Sequence, residues 1–199
     1  MIFNSFKFLL FFIITFSLYW KVPEKFSKLV LLLANITFVW MFGLYCLVFA
    51  VILSFITFGI GCLLSQSIGR KVNSIFLYLG IVFSVLFLMF FKYDLFGRIG
   101  FHSIMMPIGI SFYTFKNISY LVDAYKTGNY EKNLINYLNY SLFFPSFSAG
   151  PIIRYTDTVD LLSRRGDFNY DLAVAGTYRI VCGLFKKLVI AGHMTYYTE

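Results

Sequence analysis

From residue 29 to residue 69 the chain carries no charged side chain. Drawn as one helix at about 1.5 Å per residue, these roughly forty residues would reach about 60 Å, twice the about 30 Å hydrocarbon core of a bilayer. The stretch must fold back on itself. Gly43 is the natural hinge, which predicts one span over residues 29–41 and a second over residues 44–64. Arg70 and Lys71 close this hairpin, and residues 72–91 form a further uncharged run that Lys92 and Tyr93 end. Composition agrees: 59% of the residues are hydrophobic and only 13% charged, with a mean hydropathy of +0.77, against roughly 25% charged residues in soluble domains. The chain reads as an all-α, polytopic integral membrane protein.

At the amino terminus Lys7 precedes an apolar run over residues 8–18, followed by Tyr19, Trp20 and Lys21. An aromatic and basic boundary with no small-residue cleavage site predicts a retained first span and not a removable signal. Lys21, Lys25 and Lys28 fall on the same side as Arg70 and Lys71 if the hairpin crosses twice. That side is then cytoplasmic and the N-terminus extracellular, which places a multi-pass protein in the cell membrane. The net charge of +8 is scattered between apolar runs and forms no stripe, which excludes a nucleic-acid partner. Cys46, Cys62 and Cys182 lack metal-ligand spacing and read as buried thiols. No metal site and no internal repeat is visible.

Two stretches carry more chemistry than an anchor needs: MPIGISFYTFKNISYLVDAY at residues 106–125 and FFPSFSAGPIIRY at residues 143–155. In hydrocarbon an unpaired polar group costs several kcal/mol, so polar, irregular backbone persists there only around a protein-enclosed or aqueous cavity. Residues 104–122 and 134–153 therefore read either as spans or as broken, re-entrant helices. In the first stretch Pro107 and Gly109 allow a helix to start within the membrane. Helical spacing then puts Ser111, Thr114, Ile118 and Leu121 on one face and Tyr113, Lys116, Tyr120 and Asp123 on another. Two readings of the second face stay open: a helix end, with Lys116 snorkelling and Asp123 paired to Lys126, or the wall of a substrate tunnel.

In the second stretch Pro145 removes a backbone donor and Gly150–Pro151 stops regular helix, which predicts a turn over residues 147–153. Arg154 offers a fork of donors to the freed carbonyls or to a substrate, and Asp157 is its simplest ion-pair partner. Further on, Asn169 is positioned to cap a helix. On that helix Tyr170, Ala173, Val174, Thr177, Val181, Leu184 and Leu188 share one side, with Arg179, Lys186 and Lys187 mostly on another. This is the pattern of an interfacial amphipathic helix.

The run PIGISFYTFKNISYLVDAYK, then FFPSFSAGPIIRY, then GLFKKLVIAG at residues 183–192, resembles the amino-terminal portion of the membrane-bound O-acyltransferase (MBOAT) family. The similarity points to the bacterial branch containing the alginate O-acetyltransferase and the teichoic-acid D-alanine transferase. It implies transfer of an acyl group from a thioester-type donor, acetyl or D-alanyl, to a hydroxyl, with no bound cofactor. It also implies three partners: the lipid bilayer, an acyl-donor or carrier protein, and cell-envelope polymer machinery. Ser111, Tyr113, Lys116, Tyr120, Asp123, Pro145, Gly150, Pro151 and Arg154 become candidates for lining or supporting the substrate tunnel.

The family's catalytic histidine lies in the carboxyl-terminal half, beyond residue 199. Neither His102 nor His193 matches it, and Gly192 departs from the acidic residue usual in the branch. The resemblance thus implies an amino-terminal portion of one membrane-embedded domain without its catalytic half. Acetylation of an exported or cell-surface polysaccharide is the expected activity of the complete enzyme, with D-alanylation of teichoic acid as the alternative. A non-catalytic membrane scaffold or degenerate remnant is the competing class.

Overall fold

In the computed structural model the described residues are 6–65, 69–92, 107–128, 130–148, 150–158 and 165–191. They contain helices and connecting segments, with no strand among them. The helices are α1 (Phe6–Lys21), α2 (Glu24–Trp40), α3 (Leu44–Ser65), α4 (Arg70–Lys92), α5 (Ile110–Thr127), α6 (Leu134–Ser141), α7 (Phe144–Phe147) and α8 (Tyr170–Phe185), the last running into a π-helical turn at Lys186–Ile190. The chain divides into two units, residues 15–165 and the flanking residues 1–14 with 166–199.

In the larger unit, the break between α2 and α3 falls at Gly43. Its φ of +121° is disfavoured for any residue with a Cβ. The amides of Met41, Phe42 and Gly43 donate to the carbonyls of Thr37, Val39 and Trp40, so these acceptors at the helix end are satisfied. Among the described residues, helices α3 and α4 contain the two segments long and apolar enough to cross a membrane, Leu44–Leu64 and Lys71–Lys92. Helix α1 has 16 residues, about 24 Å at 1.5 Å per residue, short of the about 30 Å core. The first span expected over residues 8–18 is thus a helix, but not one of those two.

Helix α5 packs against α3 and α4, α6 against α2 and α3, and α7 against α2 and α5. The distribution of polarity is inverted relative to a water-soluble domain. Ile75, Leu79 and Leu86 of α4 are 57%, 58% and 59% exposed, whereas Asn35, Ser54, Thr57 and Asn117 are fully buried. An apolar surface of this kind is costly in water and stable against lipid or another protein surface. Hydroxyls within the helices return their protons to the preceding turn, Ser54 to the Ala50 carbonyl, Thr57 to Leu53 and Ser84 to Gly80.

In the smaller unit, Asn169 caps α8 as its position predicts, its Oδ1 accepting the Leu172 amide at 3.0 Å. Tyr170, Leu172, Tyr178, Ile180 and Val181 of this helix are all exposed. At Lys186 the backbone widens into the π-helical turn, which shifts Leu188 relative to the 3.6-residue register.

Candidate site at the broken helix

The two polar stretches meet in space. Pro107 precedes a turn in which Gly109 has φ +77° and serves as the N-cap of α5. A Cβ on Gly109 would lie 2.5 Å from the Phe147 carbonyl oxygen, so only glycine lets the start of α5 approach the end of α7 this closely. One turn further on, Tyr113 stacks on Phe147 with ring centroids 5.3 Å apart. Pro145 sits in the first turn of α7, where its missing donor is harmless. Helix α7 ends at Phe147, and residues 150–154 are irregular. Gly150 lies against Ser146, 2.7 Å from its would-be Cβ to the Ser146 Cα. Pro151 is exposed.

A buried polar network holds the break together. Asn35 on α2 donates to Asn139 Oδ1 at 3.0 Å and accepts the Phe144 amide at 3.0 Å. Asn139 in turn donates to the Lys28 carbonyl. Asn117 on α5 accepts from the Tyr137 hydroxyl at 2.7 Å and from Ser141 at 3.0 Å. The hydroxyl oxygens of Ser141 and Ser54 lie 2.7 Å apart and those of Tyr137 and Thr57 2.6 Å apart; with one proton on each hydroxyl, these contacts alternate with the bonds to Asn117 and to the helix carbonyls. Tyr140 places its hydroxyl between the carbonyls of Lys116 and Ile153, at 3.2 and 3.0 Å. Beyond the break the Tyr155 hydroxyl donates to Glu131, a carboxylate that also takes the Asn133 amide and Asn136 Nδ2.

Lys116 is only 1% exposed, which is against the snorkelling alternative of the two readings left open for this face. Its ammonium donates to Ser146 Oγ at 3.2 Å and to the Ser141 carbonyl at 3.4 Å, and lies 5.1 Å from the Tyr140 ring centroid. Asp123 Oδ2 is buried with no hydrogen-bond partner, and no ion pair joins Asp123 to Lys126. Arg154 is exposed. The support of freed carbonyls foreseen for its guanidinium comes instead from Lys116 and Tyr140, because both reach the break from inside. Asp157 contacts Arg154 through its backbone amide, which donates to the Arg154 carbonyl at 3.3 Å.

Lys116, Tyr140, Phe143, Ser146, Ile153, Asp157 and Thr158 enclose a cavity of about 300 Å³. Of the candidates read from the sequence, Lys116 lines it. Tyr113 and Tyr120 are buried on the same helix but do not line it, Tyr120 packing against Tyr137 and Tyr155 with centroids at 4.6 and 5.2 Å. Ser111 is half-buried on the same helix. His102 and His193 lie outside the described residues. Asn35, Asn117, Glu131 and Asn139 were missed by the sequence reading, although an isolated amide inside an apolar run, as in LLLANITF, is itself a signal of a buried partner. Among the described residues no group of three or more His, Cys, Asp or Glu is placed to hold a metal.

Fold and site together define a helical protein with, among the described residues, two helices long and apolar enough to cross a bilayer, polar side chains turned inward, and a cavity at a broken helix. No protein-family model and no solved structure matches the chain. Named relatives do. It is 32% identical over 209 residues to a probable alginate O-acetylase AlgI of Pseudomonas aeruginosa, covering 96% of this chain and 40% of that protein. A probable alginate O-acetylase AlgI of Azotobacter vinelandii is likewise 32% identical, over 96% of this chain and 42% of the relative. A peptidoglycan O-acetyltransferase of Helicobacter pylori is 27% identical over 87% of the chain and 40% of its own length. The chain is a homologue of O-acetyltransferases of the membrane-bound O-acyltransferase type. It spans about 40% of the length of the curated relatives it matches.

Proposed function

We propose that this chain is the amino-terminal portion of a membrane-bound O-acetyltransferase that transfers acetyl groups to hydroxyls of an exported or cell-surface polysaccharide. One observation carries the reading: similarity over nearly the whole chain to relatives named for O-acetylation of two different polysaccharides. The inverted distribution of polarity supports a multi-pass arrangement in the cell membrane, and the basic residues at 21–28 and 70–71 support an extracellular N-terminus. An acetyl donor of thioester type, delivered by a carrier or partner protein, and a polymer acceptor follow from acetyl transfer. The network around residues 143–155 supplies a rigid, polar element at membrane depth, where unsatisfied backbone would otherwise be prohibitive. The candidate residues divide accordingly: Lys116 borders the cavity, while Tyr113, Tyr120, Pro145 and Gly150 support it.

The test is deletion of the gene in its native host, followed by measurement of alkali-released acetate from each exported polymer. Loss of acetate from one polymer, restored by the gene on a plasmid, is the expected result. Unchanged acetate in every envelope and secreted polysaccharide would refute the proposal.

A further inference from the structure

A guanidinium is fixed at the turn between α1 and α2. Pro23 has no N–H, so the Tyr19 carbonyl, four residues earlier, lacks the intrahelical donor it would otherwise take. Arg165 replaces it from 146 residues away: Nη1 donates to the Tyr19 carbonyl at 2.6 Å and to the Val22 carbonyl at 2.7 Å. The guanidinium carbon lies 5.5 Å from the Trp20 ring centroid and 5.9 Å from that of Tyr19. Both Nη1 hydrogens are thus engaged, whereas Arg165 forms no other hydrogen bond or ion pair among the described residues. Nε and Nη2 carry the other three of its five donors, on a side chain that is half-buried. The carbonyl end of a helix carries about half a negative charge, too little to neutralise the arginine. Lys21 in the last turn of α1 and Lys25 in the first turn of α2 are exposed, and Glu24 is the only acid between residues 19 and 28. Phe26 is 47% exposed, with Lys25 Nζ 5.0 Å from its ring centroid. Bases interleaved with Tyr, Trp and Phe suit the boundary between membrane and water, and the acceptor that a planar fork of donors matches there is a phosphate.

We infer that the α1–α2 turn binds the phosphate of an anionic phospholipid, with Nε and Nη2 of Arg165 as the fork and Lys21 and Lys25 as supporting charges. Trp20 and Phe26 lie against the glycerol end of the lipid. That the turn meets a bilayer rests on the membrane arrangement proposed above; the clasp that fixes Arg165 does not. Glu24 opposes the anion, and the three bases outweigh it.

Trp20 is a reporter beside the site once Trp40, the other tryptophan, is replaced by Phe. The test uses the purified Trp40→Phe chain in phosphatidylcholine nanodiscs titrated with brominated phosphatidylglycerol or, in parallel, brominated phosphatidylcholine, and reads quenching of Trp20. The anionic lipid should half-quench at a mole fraction about tenfold or more below the zwitterionic one, since each base at an anionic surface contributes about fivefold. Arg165→Gln keeps an NH2 group for the carbonyls without the charge, and should lower that ratio about fivefold. Arg165→Lys keeps the charge without the fork and should lose most of the same factor; a full ratio there would leave only diffuse attraction and overturn the site. Lys21→Gln with Lys25→Gln leaves the carbonyl clasp intact and should lower the ratio as well. This pair keeps the test valid should the Arg165 variants not fold, which circular dichroism checks. Inorganic phosphate at constant ionic strength should leave quenching unchanged, and relief by phosphate would overturn the assignment to lipid. Equal quenching by the two lipids, quenching by neither, or an unchanged ratio in Arg165→Gln or in the lysine pair would also overturn the inference. If the lipid preference is absent while polymer acetylation still depends on the gene, only this site is lost; the converse result removes only the assigned activity.

Discussion

Replacing Asn35 by Leu tests the inverted core at its most connected point. The side chain is fully buried, and the substitution removes both the donor to Asn139 Oδ1 and the acceptor of the Phe144 amide, two bonds of 3.0 Å. Depriving a buried group of its partner costs about 1–3 kcal/mol, whereas side-chain hydrogen bonds in lipid-embedded proteins average about 0.6 and reach about 1.7 kcal/mol; two such losses meet near 2–3 kcal/mol. The assay is unfolding by SDS titration in mixed micelles, followed by helicity, on Asn35→Leu, Asn139→Leu and the double variant. The cycle should show a coupling of about 1 kcal/mol, since residues in one network are not additive. A loss for Asn35→Leu under about 0.5 kcal/mol, with coupling inside the about 0.3–0.5 kcal/mol seen for independent sites, would refute the reasoning and detach α2 from the support of the break.

Gly109→Ala forces a Cβ onto a residue with φ +77° and to within 2.5 Å of the Phe147 carbonyl. It should lower stability by about 1–3 kcal/mol in the same titration, and an unchanged midpoint would show that α5 and α7 do not meet this way. Arg154→Ala should shift stability by no more than about 0.5 kcal/mol, because its side chain is exposed; a loss above about 1 kcal/mol would return Arg154 to backbone support. His102→Ala and His193→Ala should leave labelled acetyl transfer by the complete protein largely intact. Removing a general base costs about 10²–10⁴ in rate, and a hundredfold loss at normal abundance for His193→Ala would make it catalytic.

The element boundaries of the amino-terminal half were legible in the sequence because they depend on local terms. An uncharged run over residues 29–69 cannot remain one helix. Glycine at position 43 provides the positive φ a reversal needs, and Asn169 caps the helix it precedes. The helix break at Pro145 and Gly150 was equally local, since proline and glycine act on their own backbone. The resemblance to O-acyltransferases rested on three short blocks, and such blocks are linear strings by nature.

Tertiary structure decided what those local terms leave open. Period alone placed Lys116 beside Tyr113 and Tyr120, but it does not distinguish a lysine that reaches outward to water from one that folds inward onto Ser141 and Ser146. The outcome depends on partners 25 and 30 residues away. Arg154 shows the reverse case: the break it adjoins was readable, but Tyr140 reaches the Ile153 carbonyl first. Likewise the register after Phe185 is set by a π-helical turn that no 3.6-residue pattern contains. The amides at Asn35, Asn117 and Asn139 acquire their roles only when α2, α5 and α6 meet, because in a low-dielectric interior each polar group must find a partner wherever the fold brings one.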